Sequence, residues 1–91
     1  MKVKVKTFAK FREVLGKELD VELDGKATIN DLLTTMCTSH QAHNLIFDES
    51  GKIKEYVNIL KKGRHIQSLN GILTELEDGD EVAIFPPVAG G

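Results

Sequence analysis

The chain has 91 residues, of which 41% are apolar and 29% are charged, and its formal net charge is −2. This composition is typical of one small globular domain and argues against an intrinsically disordered chain. The two signs of charge are mixed along the sequence, which argues against nucleic acid or an anionic membrane as the main partner.

Cysteine usage and hydropathy predict a cytoplasmic protein. Cys37 is the single cysteine, so it cannot form an internal disulfide, as expected of a chain from a reducing compartment. No apolar run approaches the length of a membrane span, and the N-terminus lacks the apolar core of a signal peptide. We expect the free protein to be a monomer.

The first part of the sequence predicts strand, helix and strand. Charged and apolar residues alternate along 2–8, the pattern of a strand with one buried face. Residues 9–15 carry apolar side chains at helical spacing and end before Gly16, the residue type that commonly ends a helix. Alternation returns over 18–24, which predicts a second strand.

A main helix is predicted next, over residues 29–39. Thr28 has the side chain of an N-cap, and Asp31 places an acid in the first helical turn. The apolar residues that follow recur at helical spacing. We predict a loop at 41–44, a short apolar piece at 45–47 and a turn at 49–51.

The second half predicts three further strands separated by glycine turns. A main strand is predicted over 55–61, and it reverses at Lys62-Gly63. A short edge strand over 64–69 and a turn at 70–71 follow, and then a connector over 72–76 that packs its leucines. A turn at Asp78-Gly79 leads to a final strand over 81–85.

One sheet face buried under the 29–39 helix gives two layers around a single core. The first and last strands can then lie side by side and parallel, because a helix stands between them in the chain. The sequence therefore predicts an α+β, ubiquitin-like β-grasp fold with a mixed sheet, formed by residues 1–85.

Residues 86–91 are predicted to form an extended tail. Pro86 and Pro87 lack the amide N–H groups that would continue a strand, so they end it as a stiff stem. Val88 and Ala89 lead to Gly90 and Gly91, whose missing side chains would let a terminal carboxylate enter a narrow channel. The alternative is that Gly-Gly is simply a frayed end.

The ending Leu76-x-Asp78-Gly79-Asp80-Glu81-Val82-x-Ile84-Phe85-Pro86-Pro87-Val88-Ala89-Gly90-Gly91 closely resembles the C-terminus of the MoaD/ThiS family. This family comprises ubiquitin-like sulfur carriers and includes the small archaeal modifier proteins. Residues 8–16 also look like the first strand-to-helix corner of the family. The resemblance implies the same β-grasp fold.

The resemblance also implies a chemistry at Gly91. An E1-like enzyme would adenylate Gly91 with ATP, so the ATP is used in trans and this chain binds no cofactor itself. A sulfur donor would then give a thiocarboxylate. The chain would be a carrier or small subunit rather than an enzyme, with Gly90 and Gly91 carrying the reaction and residues 86–89 setting its reach.

Three functions remain open at this point. The first is sulfur delivery, with a sulfurtransferase or the large subunit of a molybdopterin synthase as partner. The second is covalent modification, with Gly91 joined to lysines of target proteins. The third is a non-covalent binding module with an inert tail.

Strand alternation predicts an apolar patch on the sheet face that points away from the core. Phe8, Leu60 and Phe85 each fall opposite to the valines and isoleucines that set the buried side of their own strands. If the strands are neighbours, the three side chains meet near the root of the tail. Exposed apolar clusters of this kind commonly bind partners. The alternative is that strand-end bulges turn some of them inward.

No metal site is predicted. His40 and His43 stand three apart, His65 is remote, and no second cysteine or clustered carboxylate completes a ligand set. Cys37 is interpreted as a packing residue, since no partner base for a nucleophile is visible.

Overall fold

The computed structural model describes residues 1–55 and 57–85. The strands are β1 Lys2–Thr7, β2 Glu18–Glu22, β3 Ala27–Thr28, β4 Asn58–Lys61, β5 Arg64–His65, β6 Glu75–Leu76 and β7 Glu81–Phe85. The helices are α1 Lys10–Leu15, α2 Ile29–Met36 and α3 His40–Ile46, with 3₁₀ turns at Ile66–Ser68 and Gly71–Leu73. The predicted tail, 86–91, lies outside the described residues.

Five strands form one mixed sheet in the order β2-β1-β7-β4-β5. The two central strands, β1 and β7, are parallel, with Val5 opposite Val82 and Thr7 opposite Ile84. Their other neighbours, β2 and β4, run antiparallel to them. The prediction that the first and last strands lie side by side in the middle is confirmed.

Alternation along β1 decides which face of the sheet is buried. Val3 and Val5 have no exposed surface, whereas the lysines that alternate with them point to the opposite face. The same alternation in β7 buries Val82 and Ile84. Helix α2 contributes Ile29, Leu32 and Leu33, all fully buried, to the same core. Each fully buried aliphatic side chain stabilises the fold by about 1.5–3 kcal/mol relative to exposure.

Helix α2 begins with the predicted cap. The Asp31 N–H donates to the Thr28 hydroxyl at 3.3 Å, and the Thr28 N–H donates to Asp31 Oδ2 at 2.9 Å, which completes a capping box. The helix ends at Met36, with Cys37 as its C-cap, so the predicted end at 39 was too late.

The prediction of a loop over 41–44 is wrong, because these residues belong to α3. The Ser39 side chain accepts a hydrogen bond from the Ala42 N–H at 3.0 Å and caps the helix. Ala42 and Ile46, four residues apart, are both buried, so one narrow stripe joins the core.

The segment between β5 and β7 also differs from the prediction. The edge strand is only two residues long and continues as a 3₁₀ turn. Strand β6 pairs with β3 in a separate two-stranded sheet that the sequence did not indicate. Leu76 is buried as predicted, but Leu73 is 67% exposed, so only one of the two leucines packs.

Candidate functional site

The sheet face opposite the helices carries two zones of different chemistry. Across β1 and β2, lysines stand directly opposite acids, in the pairs Lys2–Glu22, Lys4–Asp20 and Lys6–Glu18. Across β7 and β4, the outward positions are mostly apolar, with Leu60 opposite Ala83 and Asn58 opposite Phe85. The apolar zone lies at the end of the sheet where β7 finishes.

Surface ion pairs connect some of the charged side chains on this face. Lys4 Nζ lies 3.2 Å from Glu18, and Lys6 Nζ lies 3.3 Å from Glu81. The hydrogen bond and charge of Glu18 raise the pKa of Lys4 above its ordinary value, with Asp20 adding to the effect. All four paired side chains are about half exposed, so these pairs stabilise the fold little.

In the apolar zone, the rings of Phe8 and Phe85 are stacked. Their centroids are 4.4 Å apart and the planes differ by 7°. Leu60 and Ala83 line the same shallow groove, and all four side chains are partly buried. We call these four residues the docking face. The predicted meeting of Phe8, Leu60 and Phe85 is confirmed; their role in binding a partner stays a prediction.

Charged side chains border the docking face. Lys6, Lys62 and Glu81 line the rim of the groove. Lys6 is paired with Glu81, and Lys62 Nζ lies 3.2 Å from Asp80 Oδ1. The rim lysines are therefore partly neutralised by carboxylates of the same chain, which leaves the apolar floor as the distinctive feature of the groove.

The corner after β1 positions Phe8. The Thr7 side chain is buried, and its hydroxyl donates to the Gly16 carbonyl while its N–H donates to Lys17 O at 3.0 Å. The Phe8 carbonyl accepts from the Phe11 N–H at 3.2 Å, which closes a tight turn. Between them Ala9 has φ 54° and ψ −128°, a conformation that glycine normally supplies.

A buried carboxylate that the sequence did not single out, Asp80, directly precedes β7. Asp80 is 1% exposed, its Oδ2 accepts from the Glu77 N–H at 2.8 Å, and Lys61 and Lys62 lie at 3.6 and 3.2 Å. Burial acts to raise the pKa of Asp80, but the Glu77 N–H and the two lysines outweigh it and hold the pKa below its ordinary value. The carboxylate therefore stays ionised at neutral pH.

Backbone bonds fix the same turn to the start of β1. The Gly79 N–H donates to Lys2 O at 2.8 Å, and the Lys4 N–H donates to Asp80 O at 2.9 Å. Strand β7 is thus held at its beginning by β1 and along its length by two neighbours. Its last residue, Phe85, therefore ends a strand that is paired on both sides.

The predicted reactive residues, Gly90 and Gly91, and the stem residues, Pro86, Pro87, Val88 and Ala89, lie outside the described residues. Their roles stay predictions.

His43, His65 and Cys37 each contact other residues of the chain. His65 Nδ1 accepts from the Gln67 N–H at 3.2 Å, so Nε2 is the atom that donates to Asn58 Oδ1 at 3.1 Å. His43 stacks on Phe47. Cys37 packs against the core, and burial raises the pKa of its thiol to about 11. Within residues 1–55 and 57–85, no three histidine, cysteine or acidic side chains are grouped as a metal site would require.

The sheet order, the parallel central pair and the helices on one face define the class of this protein as a ubiquitin-like β-grasp protein. The structure superposes on the crystal structure of SAMP1 from Haloferax volcanii with a TM-score of 0.86, 32% identity and full coverage of both chains. The predicted fold class is confirmed. No helix in the described part of the chain is long and apolar enough to cross a membrane.

Sequence comparison identifies the family. Residues 5–91 match the ThiS family. The chain is 41% identical to small archaeal modifier protein 3 of Haloferax volcanii over 92 aligned positions, covering all of both chains. It is 37% identical to the molybdopterin synthase sulfur carrier subunit of Chlamydomonas reinhardtii over 94 positions, again covering all of both. The chain belongs to the ThiS family, and the predicted resemblance is confirmed.

Proposed function

We propose that this protein is a ubiquitin-like sulfur carrier and protein modifier whose Gly91 carboxyl group is activated by another protein. The observation that carries this proposal is the family match, which extends to Gly91 and so includes the Gly-Gly ending. Relatives that are matched over their full length are named as a small archaeal modifier and as a sulfur carrier subunit. The placement of Phe85 by a central strand supports the same proposal.

The proposed activation is an adenylation. A Gly91 carboxylate oxygen attacks the α-phosphorus of ATP, and pyrophosphate leaves with the electrons of the broken P–O bond. A hydrosulfide ion then attacks the acyl carbon, AMP leaves with the electrons of the broken C–O bond, and the proton of the resulting thioacid is released to solvent. The product is a thiocarboxylate, formed without any change in redox state. ATP is needed only in trans, and the step requires a compartment that contains ATP, so we place the protein in the cytoplasm.

Two fates of the activated carboxyl group follow. Transfer of the thiocarboxylate sulfur would make the chain the small subunit of a molybdopterin synthase or a donor to another sulfurtransferase. Attack by a lysine amine on activated Gly91 would instead form an isopeptide bond with a target protein. The two relatives above support one fate each. In both, the chain is a co-substrate and the catalytic groups belong to its partners.

The docking face is the proposed contact with the E1-like enzyme. Phe8 and Phe85 form a preformed, stacked pair, and Leu60 extends the apolar floor beside them. Large aromatic anchors in such a surface commonly carry most of the binding energy. Since Phe85 directly precedes the stem, an enzyme bound to it would have the terminal residues within reach of its ATP site.

Pyrophosphate exchange tests the activation step. The E1-like enzyme encoded in the same genome, supplied with ATP and labelled pyrophosphate, should catalyse exchange with the intact chain. Deletion of Gly91 should abolish exchange, because the remaining carboxyl group lies one residue short of the α-phosphorus. Full exchange with the deletion variant, or none with an intact chain whose folding is verified, would contradict the proposal.

Peptide mapping separates the two fates. A thiocarboxylate at Gly91 reports sulfur loading, and a branched peptide that joins Gly91 to a lysine reports conjugation. If the enzyme, ATP and a sulfur source yield neither product, the reading as a non-covalent binding module with an inert tail is supported.

A further inference from the structure

The tight turn between β1 and α1 contains a backbone conformation that its residue type does not favour. Ala9 has φ 54° and ψ −128°. This is the geometry of the first central position of a type II′ turn, where glycine is preferred because any Cβ meets the flanking peptide groups. A non-glycine residue held in such a region costs on the order of 1–3 kcal/mol.

The fold itself determines this conformation and does not need the methyl group. Thr7 is 1% exposed and Phe11 is 2% exposed, so both ends of the turn are fixed in the core. The bond from the Phe11 N–H to Phe8 O and the bond from the Arg12 N–H to Ala9 O hold the backbone between them. Ala9 is exposed and is not part of the buried core. Glycine would satisfy the same backbone at lower cost.

The Ala9 methyl group strains the backbone and is exposed outside the buried core. Strain of this kind commonly occurs at functional sites, so we expect the methyl group to contact another molecule. Ala9 directly follows Phe8, whose ring is stacked on Phe85. We propose that Ala9 is a contact residue of the docking face, and that its methyl group extends the apolar surface from the Phe8–Phe85 stack around the corner to the activating enzyme. This inference rests on the proposed function, since it takes the E1-like enzyme as the occupant of the face.

The substitution Ala9→Gly separates the two effects of the methyl group. Glycine removes the free-energy cost of the strained conformation, and this gain exceeds the free energy lost because glycine makes the unfolded chain more flexible. The melting temperature should therefore rise by about 4 °C or more. Loss of one buried methyl contact should raise the KM of the E1-like enzyme for the carrier about fourfold in the exchange assay, with kcat unchanged. A variant that is more stable but binds more weakly cannot be explained by damage to the fold.

Gly51→Ala is the matched control. Gly51 has φ 87° in the turn after α3, and a Cβ there would meet nothing within 4 Å. Adding this methyl group should lower the melting temperature and leave KM unchanged. A lower melting temperature for Ala9→Gly would refute the strain, and an unchanged KM would refute the contact.

Phe85→Ala in the same assay distinguishes a failure of this inference from a failure of the proposed function. If Phe85→Ala raises KM and Ala9→Gly does not, the docking face stands and Ala9 is not part of it. If neither changes KM, the enzyme does not use this face, and the docking step of the proposed function fails as well.

Discussion

The buried carboxylate of Asp80 offers a direct test of how β7 is held. Asp80→Asn keeps the size of the side chain, and the amide oxygen can still accept the Glu77 N–H. What is lost is the negative charge between Lys61, whose side chain is 18% exposed, and Lys62, which is 61% exposed. The substitution therefore isolates the charge from the packing.

The magnitude follows from the burial of each partner. Breaking a fully buried ion pair costs about 3–5 kcal/mol, whereas a surface pair contributes about 1 kcal/mol or less. Lys61 is only partly buried and can turn its ammonium group towards water, and the Lys62 pair is nearer the surface limit. We expect a loss of about 2 kcal/mol at pH 7, which corresponds to a fall of roughly 8–16 °C in melting temperature.

The stabilisation by the Asp80 charge should depend on pH. The pKa of Asp80 is held below its ordinary value in the folded state, so at acidic pH the unfolded chain binds more protons there. The stabilisation is complete above about pH 4, the ordinary carboxyl pKa, and is lost as pH falls through the folded value. The free-energy gap between parent and Asp80→Asn should therefore be full at pH 7 and close at lower pH.

Urea unfolding of both proteins at several pH values between 7 and about 2 measures this gap. Asp48 also has a lowered pKa, because of hydrogen bonds from Ser50 and Lys52, but it is present in both proteins and cancels in the difference. Asp20→Asn, the same chemical change at an exposed position on β2, should shift stability by less than about 0.5 kcal/mol. A gap near zero at pH 7, or one that persists unchanged under acid, would refute the role assigned to Asp80.

Two further substitutions test the docking face and the main helix. Phe85→Ala should raise the KM of the E1-like enzyme for the carrier by about 30-fold, the effect of losing an aromatic hot spot of about 2 kcal/mol. Leu73→Ala, at an exposed leucine outside the docking face, should leave this KM unchanged. Equal effects of the two substitutions would count against the docking face. Thr28→Ala removes the hydroxyl group from the capping box and should lower the free energy of unfolding by about 1 kcal/mol. Thr28→Ser keeps a hydroxyl group and should retain most of this stability. An unchanged melting temperature for Thr28→Ala would show that the cap does not stabilise α2.

The sheet and its two faces could be predicted from sequence because strand alternation is a local signal. Strand β1 buries Val3 and Val5, and β7 buries Val82 and Ile84, in each case at alternate positions, so the outward direction of Phe8 and Phe85 followed directly. The intervening helix makes a parallel connection possible, so the sequence allowed the two strands to lie side by side.

Helix α3 was missed because its apolar signal is sparse. Only Ala42 and Ile46 are fully buried along it, and the partly buried Leu45 is its one other apolar residue, among four polar ones. Ser39, three residues before Ala42, was the available cap signal. The pairing of β3 with β6 could not be predicted in this way, since each strand has two residues and the partners are far apart in the chain.

Two residues that matter for the predictions, Asp80 and Ala9, could not be identified from local sequence patterns. Asp80 lies in an acidic turn that suggests a solvated surface, and only the register of β7 against β4 brings it beside Lys61. Ala9 adopts a conformation that alanine rarely takes, so it is visible only once Thr7 and Phe11 are fixed on either side of it.

The mass of the C-terminal peptide after activation tests the central claim most directly. The protein is incubated with the E1-like enzyme of its own genome, ATP and sulfide, and the mass of its C-terminal peptide is measured. Exchange of one Gly91 carboxyl oxygen for sulfur should add about 16 Da, and omission of ATP should prevent the gain. An unchanged C-terminal mass, under conditions in which the same enzyme loads another carrier, would contradict the account.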